Sequence, residues 1–156
     1  VSHSFLSLSA AAPLLVSVAA AQQTVTFTAN VGGTCTVIAD TDGTLGPSAD
    51  LTILSSTEAG GTRGRATVTT TGSGFNVTVA PPANFTTGPV DADTNTSFAT
   101  SYDASGVTVA VGVPGPTPSP LGLGLTFLDV DATATKSAGT FSAGNYTLDT
   151  IVTCAP

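Results

Sequence analysis

Polar and apolar residues alternate without a break from Thr24 to Val31, Thr-Val-Thr-Phe-Thr-Ala-Asn-Val, and this period of two is the signature of a half-buried strand. Gly32-Gly33 interrupts the run, and Thr34–Ala39 resumes it in the same phase. Asp42-Gly43 and Gly46-Pro47 mark turns, Leu51–Leu54 reads as a short apolar strand, and Gly60-Gly61 and Gly64 bracket the two arginines. Arg65–Thr71 and Phe75–Ala80 are separated only by Gly72-Ser73-Gly74, which predicts a hairpin. Pro81-Pro82 ends that unit and residues 83–96 read as loop. Ser97–Tyr102 and Gly106–Val113 follow as strands, then a Pro-rich stretch, Pro114–Pro120, read as an extended linker. Leu121, Leu123, Leu125 and Phe127 hold one phase, whereas Leu128, Val130, Ala132 and Ala134 hold the other, so a bulge or change of sheet is expected at 127–128. Gly139–Gly144 is a turn region, and Asn145–Cys154 is the last strand. About seven to nine short strands with no helical period and no internal repeat predict one all-β domain, a sandwich or barrel.

Composition sharpens this picture. Only 8% of the residues are charged, against about 25% in an ordinary soluble domain, while 41% are hydrophobic. Thr, Ser, Ala and Gly take the place of charge, and Thr and Val favour the pleated surface of a sheet. Met is absent, and the helix formers Lys, Glu and Arg reduce to Glu58, Arg63, Arg65 and Lys136. A net charge of −7 repels phosphate backbones and anionic headgroups, so nucleic acid and membrane insertion are not expected.

Residues 1–21 differ from the rest. Phe5–Val18 is a short apolar run, followed by Ala19-Ala20-Ala21 and Gln22, which is the pattern of a cleaved signal peptide, although only His3 stands in place of a basic residue ahead of it. The run is too short and too rich in Ser for a transmembrane helix. Export predicts an oxidising environment, and the chain has two cysteines, Cys35 and Cys154. Cys35 shares odd parity with Val25, Phe27, Ala29, Val31 and Val37, and Cys154 shares even parity with Tyr146, Leu148 and Val152. Each cysteine thus lies on the apolar face of its own strand, and a Cys35–Cys154 disulfide is expected in a single domain spanning 22–156.

Candidate chemistry is sparse. The sole histidine, His3, falls in the presumptive leader, so triads and His metal sites lack their parts. Lys136 sits in Ala-Thr-Lys-Ser-Ala-Gly and is read as solvated. Asp91-x-Asp93-x-Asn95-x-Ser97 matches the first oxygen positions of a calcium loop, but Thr96 replaces the required Gly and Tyr102 the closing acid. It stands as a weak metal candidate, the alternative being a solvated loop. Asp129 and Asp131 alternate with Leu128 and Val130 as on an exposed face, and a glycosidase-type carboxylate pair is a remote alternative. No cofactor and no enzymatic activity are expected.

Two segments carry a family resemblance. Thr24-Val-Thr-Phe-Thr-Ala-Asn-Val31, followed by Cys35-Thr-Val37, resembles the first strand of chaperone–usher pilins. Ala143-Gly-Asn-Tyr146-Thr-Leu-Asp-Thr-Ile-Val152 is similar to the closing strand of pilins and of spore-coat-U-like fimbrial domains. The resemblance implies an Ig-like Greek-key β-sandwich, exported through the periplasm to the cell surface. It implies a structural fibre or coat subunit that associates with itself or other subunits, with a periplasmic chaperone as a further partner. Val25, Phe27, Ala29 and Val31 would then be the strand-pairing residues, and Tyr146, Leu148 and Val152 the closing strand. Two features depart from the pattern: Cys35 has no partner in an early strand, and only Gln22 and Gln23 precede Thr24 after the presumptive cleavage. The alternative is a self-contained, adhesin-like binding module.

Overall fold

The structure is a computed structural model and describes residues 23–156; the presumptive leader, 1–21, lies outside the described residues. The strands are β1 (Cys35–Thr41), β2 (Gly46–Pro47), β3 (Ile53–Ser55), β4 (Gly64–Thr70), β5 (Asn76–Ala80), β6 (Thr96–Gly106), β7 (Ala110–Pro114), β8 (Ser119–Pro120), β9 (Gly124–Lys136) and β10 (Ile151–Ala155). No helix occurs among the described residues. Residues 31–156 form one compact unit, to which residues 23–30 do not belong.

Residues 31–156 form an all-β, sandwich-like fold of two antiparallel sheets. The larger has β9 at its centre. β6 pairs along one edge of β9, and β4 and then β3 pair along the other. β1 closes the β4 side, and β7 the β6 side. The smaller sheet runs β10-β5-β8. Alternation explains which residues meet between them. Ala66 and Val68 of β4, Tyr102 and Ala104 of β6, and Leu128 and Val130 of β9 face Val77 and Val79 of β5 in one buried cluster. Tyr102 is 1% exposed and its hydroxyl donates to Ser119 Oγ at 2.7 Å, so its polar end is satisfied within the core. Thr100 Oγ1 donates to the Val79 carbonyl at 2.6 Å and ties the sheets together.

Several expectations are corrected. β4 and β5 are not a hairpin: β4 pairs with β1 and β9, and β5 with β10 and β8. Gly72-Ser73-Gly74 therefore carries the chain from one sheet to the other. No phase switch occurs at 127–128. The even residues of β9 from Thr126 to Lys136 are all buried, and Leu125 and Phe127 face outward at about half exposure. Pairing to β6 and β4 continues through this point without a shift in register. Ser119 and Pro120, read as linker, form β8. The final strand is short: Ile151–Ala155 pairs with β5, whereas Thr147 makes only an isolated bridge to Thr87. Asp131 is buried and not on an open face: it accepts a hydrogen bond from Ser56 Oγ at 2.8 Å and pairs with Arg63 at 2.8 Å.

A disulfide joins Cys35 to Cys154, with the Cα atoms 6.2 Å apart. It links the first residue of β1 to β10, hence one sheet to the other. The bridge spans 119 residues of sequence, and removing so long a constraint on the unfolded chain costs about 2–5 kcal/mol. Cys154→Ser is expected to lower unfolding free energy by that amount in urea titrations, and reductant is expected to lower the wild type, but not the variant, equally.

Candidate functional site

The strand β1 is unfinished on its inner side. Its register to β4 sets Cys35 opposite Thr70, Val37 opposite Val68 and Ala39 opposite Ala66, so Cys35, Val37 and Ala39 face the interior. Yet Val68 is 1% exposed and Val37 36% exposed, and Ala39 and Thr41 are exposed as well. What is missing is cover from the second sheet. β1 and β10 meet at the disulfide, and among the described residues β1 pairs only with β4, and β10 only with β5.

The space between them is a cleft of about 970 Å³. Its floor is the inner face of the large sheet, with Leu54, Ala66, Val130 and Ala132. Ala39 and Thr41 line one side, and Leu148 and Val152 the other. Phe141 and Tyr146 belong to a second buried cluster that flanks the cleft. There Phe85 meets Phe98, Phe141 and Tyr146 edge-on at centroid distances of 5.0, 6.0 and 5.1 Å. Packing of this kind is rigid, because each edge-to-face pair fixes the tilt of its neighbour. The cleft is thus apolar at its base and bounded by two strand edges whose outward N–H and C=O groups have no partner strand.

Of the closing-strand residues, Val152 lies in β10 and packs on the first cluster, while Tyr146 and Leu148 precede the strand and pack on the second. Their shared parity holds all the same, because all three are partly buried and their odd neighbours Thr147, Asp149, Ile151 and Thr153 are exposed. The expected strand-pairing residues behave differently from the expectation of a strand. Thr24–Val31 has no assigned strand or ladder partner. Val25 is 71%, Phe27 91% and Val31 89% exposed, and Ala29 is exposed too. The sequence reading passed over Leu54 and Phe141, which line the cleft, because Phe141 falls in a turn and Leu54 ends a very short strand. The concentration of Phe85, Phe98, Phe141 and Tyr146 around segments read as loop was the available signal.

Lys136 is not solvated. It is 7% exposed, and its Nζ donates to the carbonyls of Asp91 at 2.8 Å, Thr94 at 2.8 Å and Ala92 at 3.3 Å. The same ammonium stands 5.0 Å from the centre of the Phe141 ring. Three N–H donors thus meet three backbone oxygens. These oxygens belong to the loop read as a weak calcium candidate, and its side chains point their bonding elsewhere. Asp91 accepts from Ser142 Oγ at 2.7 Å, Asp93 from the Phe85 amide at 2.8 Å, and Ser97 donates to the Thr135 carbonyl at 3.4 Å. Asn95 takes a left-handed φ of 55°. The ammonium of Lys136 does the work of a cation for this loop, and among the described residues no three His, Cys, Asp or Glu side chains converge. Lys136→Met leaves buried carbonyls without donors and is expected to cost about 3 kcal/mol, read from the shift in urea midpoint at constant slope.

Both arginines are engaged by carboxylates of the large sheet. Arg63 bridges Asp103 at 2.6 Å and Asp131 at 2.8 Å, and Arg65 meets Asp129 at 2.7 Å. Asp129 and Asp131 are thus each engaged by a guanidinium instead of facing each other across an open site. The Gly112 amide, at 2.6 Å, and then Arg63 hold the Asp103 carboxyl below its ordinary range. A carboxyl with a lowered folded-state pKa contributes stability that is complete above its unfolded value, about 3.9, and is lost as pH falls through the folded value. Asp103→Asn is therefore expected to flatten the fall in melting temperature below about pH 4 while lowering stability at neutral pH.

Comparison with known protein families, with curated proteins and with solved structures finds no match.

Proposed function

We propose that the protein is a structural subunit of an exported surface fibre or coat, and that copies assemble by strand exchange. Residues 24–31 of one copy fill the cleft of the next. On this reading the sandwich is an Ig-like fold short of one strand, and the resemblance of Thr24–Val37 and of Ala143–Val152 to pilin strands points the same way. The observation that carries the reading is a double exposure. The inner face of β1 is uncovered over an apolar cleft, and an uncharged, alternating segment offers Val25, Phe27, Ala29 and Val31 to solvent.

The physical fit supports it. Fully extended, Thr24–Val31 runs about 26 Å and β1 about 23 Å, at roughly 3.3 Å per residue. Backbone groups of an added strand satisfy the free edge of β1 or β10, and four apolar side chains on one face cover the floor. Burying Phe27 alone contributes about 2–3 kcal/mol. Asp42 and Asp149 also line the cleft, so an uncharged segment suits it better than an acidic one. The disulfide fits passage through an oxidising compartment, where a periplasmic chaperone would cover the cleft until a subunit arrives.

Phe27→Asp is expected to abolish assembly, because a charge in the cleft costs several kcal/mol, while leaving the melting temperature of the isolated subunit unchanged within about 1 °C. Sedimentation velocity and negative-stain microscopy read the first, and calorimetry the second. A chain lacking residues 22–31 is expected to gain thermal stability when that segment is added as a peptide. Wild-type protein that stays monomeric at high concentration and ignores the peptide would instead be a self-contained binding module.

A further inference from the structure

The cleft and the segment that would fill it belong to one chain, so something must decide between self-filling and filling a neighbour. We propose that the register across Gly32-Gly33 decides it, by turning the apolar face of residues 24–31 away from the chain's own cleft. This inference rests on the strand-exchange reading.

The argument is one of parity. In β1 the inward residues up to the bulge at Asp40 are odd: Cys35, Val37 and Ala39. A hairpin with a two-residue turn at Gly32-Gly33 sets Val31 opposite Thr34, Ala29 opposite Thr36, Phe27 opposite Ile38 and Val25 opposite Asp40. Directly opposed residues of an antiparallel pair share a face. The four apolar side chains would therefore stand on the outer face beside Ile38, which is 60% exposed, and Asn30, Thr28 and Thr26 would enter the cleft. A slip of one residue reverses every side chain, so no partial remedy exists within this turn.

A three-residue loop, Gly32-Gly33-Thr34, gives the correct parity, with Ala29 opposite Val37 and Phe27 opposite Ala39. Its last position calls for a left-handed residue, usually Gly, and Thr is β-branched. Thr34 is also already engaged. Its carbonyl accepts from the Thr71 amide at 2.9 Å, its amide donates to Thr71 Oγ1 at 2.9 Å, and the two hydroxyls lie 2.9 Å apart. Gly33 is held next to it, since a Cβ there would lie 2.7 Å from the Gly72 Cα. Consistent with this, neither Gly32 nor Gly33 takes the positive φ that a two-residue hairpin turn needs. A second copy is free of the restriction, because its segment arrives from outside and chooses its own register.

The test is one inserted glycine between Gly32 and Gly33, at a place where Gly32 has open space around it. The inserted residue and Gly33 then form a two-residue turn, Gly32 pairs with Thr34, and Phe27 comes opposite Ala39. The insertion variant is expected to be monomeric in sedimentation velocity under conditions where the wild type assembles, and to melt at least about 3 °C above the wild-type subunit kept apart by dilution, the shift that about 1 kcal/mol of added stability gives a domain of this size. Adding Phe27→Asp to the insertion is expected to remove that gain and leave a monomer. If the wild type assembles and the insertion variant assembles equally well, the register inference is overturned and strand exchange stands. If the wild type does not assemble at all, strand exchange and this inference fall together.

Discussion

One covalent bond sets the geometry on which the rest depends. Cys35–Cys154 joins the edge strands of the two sheets covalently, and among the described residues β1 and β10 do not pair with each other. Near the bond the inner faces meet, and Cys35 and Cys154 pack on the first cluster with Phe75 and Val152. Away from it β1 keeps its pairing to β4 but loses its cover, so Val37 and Ala39 reach solvent from the side of the strand that should be buried. A sandwich normally hides this region with one more strand. Here the same bond that stabilises the fold also holds the opening at a fixed width at one end.

The opening is flanked by a rigid neighbour. Phe85, Phe98, Phe141 and Tyr146 interlock, and the Lys136 ammonium binds the 91–94 loop to the end of β9 and to the Phe141 face. A buried lysine is costly unless each of its protons finds an acceptor, and this one finds three carbonyls. The arrangement anchors the 91–94 part of the long 81–96 connection to the end of β9.

How much of this was legible in the sequence varies by element. The inward phase of β1 and β10 was, because a period of two leaves no choice of face once a strand forms, and so the pairing of Cys35 with Cys154 could be read from parity. The exceptional character of Thr24–Val31 was visible as an unbroken, uncharged alternation. The reading of Arg65–Ala80 as a hairpin failed because Gly72-Ser73-Gly74 suits either a turn within a sheet or a passage between two, and local residues do not choose between them. The bulge at 127–128 failed because Leu125 and Phe127 were taken as buried on account of their type, whereas they face outward.

Face and cysteine compatibility are therefore properties of the chain read in short windows, since they depend on the pleat once a strand forms. Which strands pair, whether Lys136 and Asp131 are buried, and whether the inner face of β1 is covered are decided by contacts between residues distant in sequence, such as Lys136 with Asp91, Asp131 with Ser56 and Cys35 with Cys154. A lysine next to Ser and Gly looks solvated until a loop 42 residues away brings carbonyls to it. The sequence alone determined the alternation that gives residues 24–31 and β1 two distinct faces; the tertiary structure decided that the inner face of β1 is left exposed, because among the described residues β1 pairs only with β4, and β10 only with β5.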